Sequence, residues 1–174
     1  MKRLCGHLVA ICAVSLLFVD LTTISFAAEK TNYSGTYTVK QRKEPTTPDS
    51  PTIRVVQTDA AIEITRTQQG AKTTNRFPLD GSVGDYISPG GVPGKCKAQL
   101  KDKYLLLESI VTTHPQPNAP PVRLHTKERW QLSSNSKILT IKTEVDFPDF
   151  PSGIAAVALP NNPWTDTYER TSEP

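Results

Sequence analysis

The stretch that decides the fold reads VRLHTKERWQL over residues 122–132, SSNSK over 133–137 and ILTIKTEVDF over 138–147. In both long segments, apolar and polar residues alternate with a period of two. That period is typical of β-strands that turn one face to a core and the other to water. The polar break between them is short enough for a hairpin. The stretch therefore predicts two adjacent antiparallel strands.

The alternation also assigns each side chain to a face. We predict that the inward-facing residues are Val122, Leu124, Thr126, Glu128, Trp130 and Leu132 on the first strand and Leu139, Ile141, Thr143, Val145 and Phe147 on the second. The outward face of the first strand carries a row of cationic and polar residues, namely Arg123, His125, Lys127, Arg129 and Gln131. We interpret this row as a solvated face rather than a binding surface.

Prolines divide the rest of the chain into short apolar runs, which leave few windows long enough for a helix. Those windows again alternate with a period of two. We predict strands over 33–42, 52–58, 61–67, 71–77, 95–101, 104–112, 122–132, 138–147 and 164–171. A short strand over 83–87 is the alternative to a continuous loop over 81–94, and we expect one helical turn over 153–159.

Several of the joints between these strands are short and polar, so consecutive strands are expected to form hairpins. Consecutive hairpins make an antiparallel up-and-down meander. Closing such a meander into a β-barrel removes the exposed edges that would otherwise invite aggregation. We therefore predict an all-β barrel, with a two-sheet β-sandwich as the alternative.

The first 27 residues have the pattern of a signal peptide. Lys2 and Arg3 form a positive start, 8–18 form an apolar run, and Ser25, Phe26 and Ala27 place small residues where a signal peptidase reads them. The apolar run is shorter than the ~20 residues of a spanning helix. We predict cleavage after Ala27, a single domain over 28–174 without a stable membrane span, and a periplasmic or secreted location.

Charge and cysteine content limit the partners of the exported domain. Two of the 20 basic and one of the 17 acidic side chains lie in the leader, so the domain carries a net charge of about +2. That excess is too small to indicate nucleic-acid binding. Cys96 is the one cysteine left after cleavage and alternates with Ala98 and Leu100, so we expect it to be a buried apolar residue. We expect a monomer.

The sequence offers no recognisable catalytic or metal-binding motif. A zinc site needs three or four ligands, whereas the exported domain offers the scattered His114, His125 and Cys96. The G-x-S-x-G motif of serine hydrolases is absent, and the glycine-rich segment 90–95 lacks the residues that hold phosphate and magnesium. We predict a protein that is not an enzyme and has no metal or cofactor.

Several short segments, in this order along the chain, resemble a group of small exported bacterial β-proteins that are lipocalin-like in outline. The segments are NYSGTY at 32–37, FPLDG at 77–81, ERWQLS at 128–133 followed by KILTI at 137–141, and YER at 168–170. The resemblance implies a lipocalin-like β-barrel and an envelope or extracellular location. It implies no particular activity, since a fold does not carry a function by itself.

Charged residues at inward positions are the remaining clue to function, because a charge in an apolar interior needs a partner. Glu128 is therefore expected to pair with Arg66 or Arg170 and to close one end of the barrel. The alternatives are that these positions face water at strand ends, or that they orient the polar group of a ligand against an apolar wall. On the last hypothesis the candidate ligand-binding residues are Arg66, Glu128, Trp130, Tyr37, Trp164 and Arg170.

Two hypotheses about function follow. The first is an exported barrel that binds a small lipophilic molecule, and the second is a cell-envelope interaction or structural protein with a filled core. Proline-rich loops at 43–51, 113–121 and 148–163 suit the second hypothesis, because loops on a rigid sheet commonly carry recognition. An interior void would favour the binding barrel and a filled interior the envelope protein.

Overall fold

The computed structural model describes residues 31–41, 51–114, 120–150 and 162–172. These residues form ten β-strands: β1 (Gly35–Gln41), β2 (Thr52–Gln57), β3 (Ala61–Gln68), β4 (Ala71–Pro78), β5 (Gly84–Ile87), β6 (Pro93–Leu100), β7 (Leu105–Thr113), β8 (Val122–Leu132), β9 (Ile138–Asp146) and β10 (Trp164–Ser172). Every predicted strand is confirmed to within two residues at each end. The predicted signal peptide, the helical turn over 153–159 and most of the proline-rich loops lie outside the described residues. Within the residues that the structure describes, no helix is both long and apolar enough to cross a membrane.

The strands form one antiparallel sheet in the order β4-β3-β2-β1-β10-β9-β8-β7-β6-β5. Neighbours in the sheet are neighbours in the chain, apart from the pairing of β1 with β10, which joins the two halves of the meander and places Tyr37 opposite Arg170. The fold is therefore an up-and-down meander curled into a nearly closed barrel. The β-sandwich alternative is wrong, because all ten strands belong to a single sheet.

The prediction of a continuous loop over 81–94 is also wrong. Strand β5 forms and pairs with the start of β6, and a turn joins them in which the Gly91 N–H donates to the Ser88 carbonyl at 2.9 Å. The loop was predicted because this segment is rich in glycine. Gly94 lies within a strand, where a Cβ would come within 2.2 Å of the Ile110 carbonyl oxygen, so its role is close strand approach rather than loop flexibility.

No ladder of backbone hydrogen bonds joins β4 to β5, and a side chain closes this seam instead. The Asn75 amide accepts from the Ile87 N–H at 2.7 Å and donates to the Ile87 carbonyl at 2.9 Å. At the start of β5, Gly84 lies so close to β4 that a Cβ would be 3.1 Å from the Arg76 carbonyl oxygen. Asn75 thus replaces a peptide group between the two strands.

Large side chains fill the half of the barrel in which the odd-numbered strands begin, which we call the filled half. The buried cluster includes Tyr33, Tyr37, Val55, Ile62, Phe77, Leu105, Trp130 and Leu139. The inward alternation predicted for β8 and β9 is confirmed, since Trp130 and Leu139 are both fully buried. Cys96 is buried too, as predicted, and burial raises the pKa of its thiol.

Hydrogen bonds tie the segment before β1 into the filled half. The Gln57 side chain accepts from the Tyr33 N–H at 2.9 Å, and the Tyr33 hydroxyl donates to the Trp130 carbonyl at 3.1 Å. The Tyr37 hydroxyl donates to the Tyr33 carbonyl at 2.8 Å and accepts from Arg170 Nη2 at 2.8 Å. These bonds connect β1, β2, β8 and β10 at one level, so this end of the barrel is fixed.

The seam gives a first prediction. Asn75→Ala leaves the N–H and carbonyl of Ile87 without their partners and should lower the free energy of unfolding by about 2–4 kcal/mol. Urea denaturation measures the loss, and amide hydrogen exchange should show Ile87 losing protection before the other strands. Lys72→Ala, on the exposed face of the same strand, is the matched control and should change stability by less than about 0.5 kcal/mol. Equal effects of the two substitutions would contradict the seam's dependence on Asn75.

The buried tyrosines give a second prediction. Burial raises the pKa of Tyr33 to about 12, against an ordinary value of 10.0, so the folded state favours the neutral phenol. Its contribution to stability is complete below pH 10.0 and is lost as the pH rises through about 12. Urea unfolding across this range should show a loss of about 2–3 kcal/mol from this group. Tyr33→Phe should show a smaller alkaline loss than the wild type, and identical pH profiles would refute the assignment.

Candidate functional site

The other half of the barrel, in which the even-numbered strands begin, contains an open cavity of about 260 Å³. We call it the open half. Apolar and aromatic side chains form part of the lining: Pro51, Ile53, Tyr86, Pro89, Ile141, Val145, Trp164 and Tyr168. Polar and charged side chains form the rest: Thr52, Arg66, Thr67, Gln68, Thr126, Glu128, Thr143 and Asp166. Apolar lining with a few directed polar groups is the usual composition of a small-molecule site.

Short side chains at inward positions explain why this half is open. Thr126 of β8 and Thr143 of β9 both line the cavity. Both lie next to Glu128, since Thr126 precedes it by two residues on β8 and Thr143 is opposite it in the register of β8 and β9. The same two strands contribute Trp130 and Leu139 to the filled half. The interior therefore changes from packed to open along each strand because inward side chains become shorter and more polar.

An ion pair between Arg66 and Glu128 lies at the floor of the cavity. Arg66 Nη2 is 2.5 Å from Glu128 Oε2, and the side chains are 31% and 13% exposed. The Trp130 indole N–H donates to the same carboxylate oxygen at 2.9 Å, and the guanidinium carbon lies 5.7 Å from the centre of the indole ring. The prediction that Glu128 pairs with Arg66 or Arg170 is confirmed for Arg66.

Glu128 stabilises the positive charge of Arg66. Burial by itself lowers the pKa of the Arg66 guanidinium, but the charge and hydrogen bond of Glu128 outweigh it, so the pKa stands above its ordinary value. Burial raises the pKa of the neighbouring Tyr86, with the Arg66 charge acting in the opposite direction. The floor of the cavity thus presents one fixed positive charge, one carboxylate and a neutral phenol.

A second asparagine holds the rim of the cavity in place. The Asn162 side chain accepts from the Val145 N–H at 2.8 Å and donates to the Val145 carbonyl at 2.7 Å. This pair of bonds fixes the chain next to β9 just before β10 begins at Trp164. Val145 and Trp164 both line the cavity, so Asn162 positions two of its wall residues.

The predicted site residues separate into two groups. Arg66, Glu128 and Trp164 line the cavity, whereas Tyr37, Trp130 and Arg170 do not. The prediction that Tyr37 and Trp130 form its wall is wrong, because both are fully buried in the filled half. Arg170 also lies outside the cavity, because its Nη2 donates a hydrogen bond to the Tyr37 hydroxyl in the filled half. Trp130 still affects the site through its bond to Glu128.

Most of the lining was absent from the predicted site; five of the absent residues are Tyr86, Thr126, Thr143, Asp166 and Tyr168. For four of them a signal existed, because their parity with Trp130, Ile141 or Trp164 already placed them on inward faces. Asp166 in particular is only 6% exposed and stands between two inward aromatic residues. Tyr86 could not be found in this way, since its segment had been assigned mainly to a loop.

No metal centre is evident in the part of the chain that the structure describes. No three side chains among its histidines, cysteines, aspartates and glutamates come together to hold an ion. His125 lies 3.7 Å from Glu108 at the outer face, and Cys96 is buried in the filled cluster. The chemistry available in the cavity is therefore hydrogen bonding, charge and apolar contact.

Comparisons with known proteins identify the fold and no family. No family model matches the chain, and no curated protein matches its sequence. Among solved structures, fatty-acid-binding protein 1 of Echinococcus granulosus is similar with a TM-score of 0.54 and 11% identity, over 80% of this chain and 97% of that one. A fatty-acid-binding protein of Drosophila melanogaster brain tissue has a TM-score of 0.53 and 14% identity, over 79% and 99%. An abundant heat-soluble (SAHS) protein of Ramazzottius varieornatus has a TM-score of 0.53 and 10% identity, over 80% of this chain and 95% of that one. At these identities the likeness is one of fold, namely an antiparallel β-barrel of the fatty-acid-binding-protein type.

Proposed function

We propose that this protein is an exported, non-catalytic binding protein that holds one small lipophilic molecule in the open half of its barrel. The observation that carries the proposal is the cavity of about 260 Å³ with its ion-paired floor and its apolar and aromatic wall. A barrel whose only task was structural would gain stability from filling this space, because protein interiors are close-packed. The inward threonines keep it open.

The size of the cavity limits the ligand. Its volume of about 260 Å³ lies near the lower end of the range of roughly 300–1,000 Å³ that is usual for small-molecule sites. A compact molecule of one ring or a short chain fits such a space. Two of the proteins with a similar fold are fatty-acid-binding proteins, which supports a barrel of this type as a container for apolar molecules.

Export is part of the proposal and rests on the leader sequence. Among the described residues, which start at Thr31, the first buried side chain is Tyr33, so cleavage after Ala27 leaves the described segment before β1 intact. Because Thr31 already accepts from Gln57 at 3.1 Å, cleavage beyond that residue would remove a contact of the folded domain.

The export hypothesis predicts a definite N-terminus. When the full chain is expressed in a secreting bacterial host, the exported protein should begin at Ala28, as measured by intact mass and N-terminal sequencing. Replacing Ala27 with a bulky residue should block processing, because the peptidase reads small residues at this position. An exported or retained protein that still carries Lys2 and Arg3 would contradict the proposed cleavage.

The binding hypothesis predicts a releasable ligand. Native mass spectrometry of the protein purified from the exporting host should show an extra mass that disappears on denaturation. Thr126→Phe places a phenyl ring inside the cavity and should abolish this mass, or weaken binding of a matching ligand by at least about tenfold. The matched control is Lys127→Phe, which adds the same ring on the outward face.

Two results would count against a binding barrel. One is equal ligand loss in both phenylalanine variants, which would place the ligand elsewhere. The other is a bare wild-type monomer that also fails to bind small apolar and amphipathic probes in tryptophan fluorescence titrations, with Trp164 at the wall as the reporter. That outcome would favour the envelope-interaction hypothesis instead.

A further inference from the structure

We propose that the cavity selects ligands whose polar group is electrically neutral and carries a hydrogen-bond donor and an acceptor side by side, as a primary carboxamide or the amide edge of a nitrogen heterocycle does. This inference rests on the proposed binding function and specifies the ligand class. It follows from the way in which Arg66 and Glu128 are arranged.

The two charges at the cavity floor already neutralise each other, and Asp166, the third charged residue of the lining, is only 6% exposed. Arg66 Nη2 lies 2.5 Å from Glu128 Oε2, and both side chains line the cavity. A carboxylate ligand would have to compete with Glu128 for the guanidinium, and an ammonium ligand would have to compete with Arg66 for the carboxylate. Either would leave one charge without a partner in a partly desolvated site, which is unfavourable.

The ion pair nevertheless has hydrogen-bonding capacity to offer. Among the described residues, both hydrogen bonds to Glu128 end on Oε2, one from Arg66 and one from the Trp130 indole. The guanidinium carries five N–H donors and the carboxylate has a second oxygen. The floor therefore presents an acceptor and several donors next to each other, and a carboxamide complements both at once.

The walls restrict the rest of the ligand. Tyr86, Trp164 and Tyr168 contribute aromatic faces, and Ile53 and Ile141 contribute aliphatic ones. The cavity volume of about 260 Å³ admits an aromatic ring bearing the neutral polar group. Pair geometry and wall composition thus point to a small planar amide or heterocycle.

Four probes of nearly equal size test the inference on the wild-type protein. They are benzamide, benzoate, benzamidine and ethylbenzene, whose polar groups are respectively neutral, anionic, cationic and absent. Isothermal titration calorimetry or tryptophan fluorescence should show benzamide binding at least about tenfold more tightly than each of the others. Tighter binding of benzoate, benzamidine or ethylbenzene would overturn the inference while leaving a binding barrel in place.

Charge-changing variants give the sharper test, because they should redirect the preference. Glu128→Gln leaves the Arg66 charge unbalanced and should make benzoate the best ligand. Arg66→Gln leaves the Glu128 charge unbalanced and should make benzamidine the best ligand. The double variant Arg66→Gln with Glu128→Gln restores neutrality and keeps donors and an acceptor, so benzamide should again lead. Lys127→Gln, on the outward face, is the control and should keep the wild-type order.

The outcomes distinguish this inference from the proposed function. Failure of all four probes to bind the folded wild-type protein would overturn the inference, and only the further absence of a releasable mass in native mass spectrometry would overturn the proposed function as well. Binding with an unchanged order in the two single variants, Glu128→Gln and Arg66→Gln, would overturn the inference alone, since the pair would then not set the selectivity. Thermal unfolding shows whether each variant is folded. If a variant is not folded, the order of probe affinities of the wild-type protein alone tests the inference.

Discussion

The pairing of β1 with β10 is the contact on which the rest of the structure depends. It joins the beginning and the end of the meander and brings Tyr37 next to Arg170, so that strands distant in the chain surround one interior. Closure of this kind is favoured because a long sheet edge leaves backbone groups unpaired. The remaining gap between β4 and β5 is bridged by the Asn75 side chain, which satisfies the backbone of Ile87 in place of a strand.

Within the closed barrel, the two halves have different tasks. In the filled half, Tyr33, Leu105 and Trp130 pack without exposure and fix the ends of the strands. In the open half, the neighbouring strands β8 and β9 present the short side chains of Thr126 and Thr143 to the interior, and a cavity remains. Trp130 connects the halves, because its ring belongs to the packed cluster while its N–H supports the Glu128 carboxylate at the cavity floor. Stability and the proposed binding thus share one side chain.

Site residues could be predicted where they lie on strands whose inward faces could be predicted. Period-two alternation placed Arg66, Glu128 and Trp164 on inward faces, and the need of a buried charge for a partner predicted the pairing of Glu128 with Arg66. Alternation could not say at which level of the barrel an inward residue lies. For that reason Tyr37, Trp130 and Arg170 were grouped with the cavity, although they belong to the filled half or its end. Tyr86 was missed because glycines that permit close strand packing looked like loop residues.

The sequence by itself determined the strand positions, the inward and outward faces, the burial of Cys96 and the presence of charge among the inward residues, because all of these depend on local periodicity and residue type. The tertiary structure alone decided which strands pair across the closure, which arginine meets Glu128 and where the interior stays open. Those features depend on register between distant strands and on the summed volume of side chains at one level of the barrel. Neither quantity is encoded in any single segment of the chain.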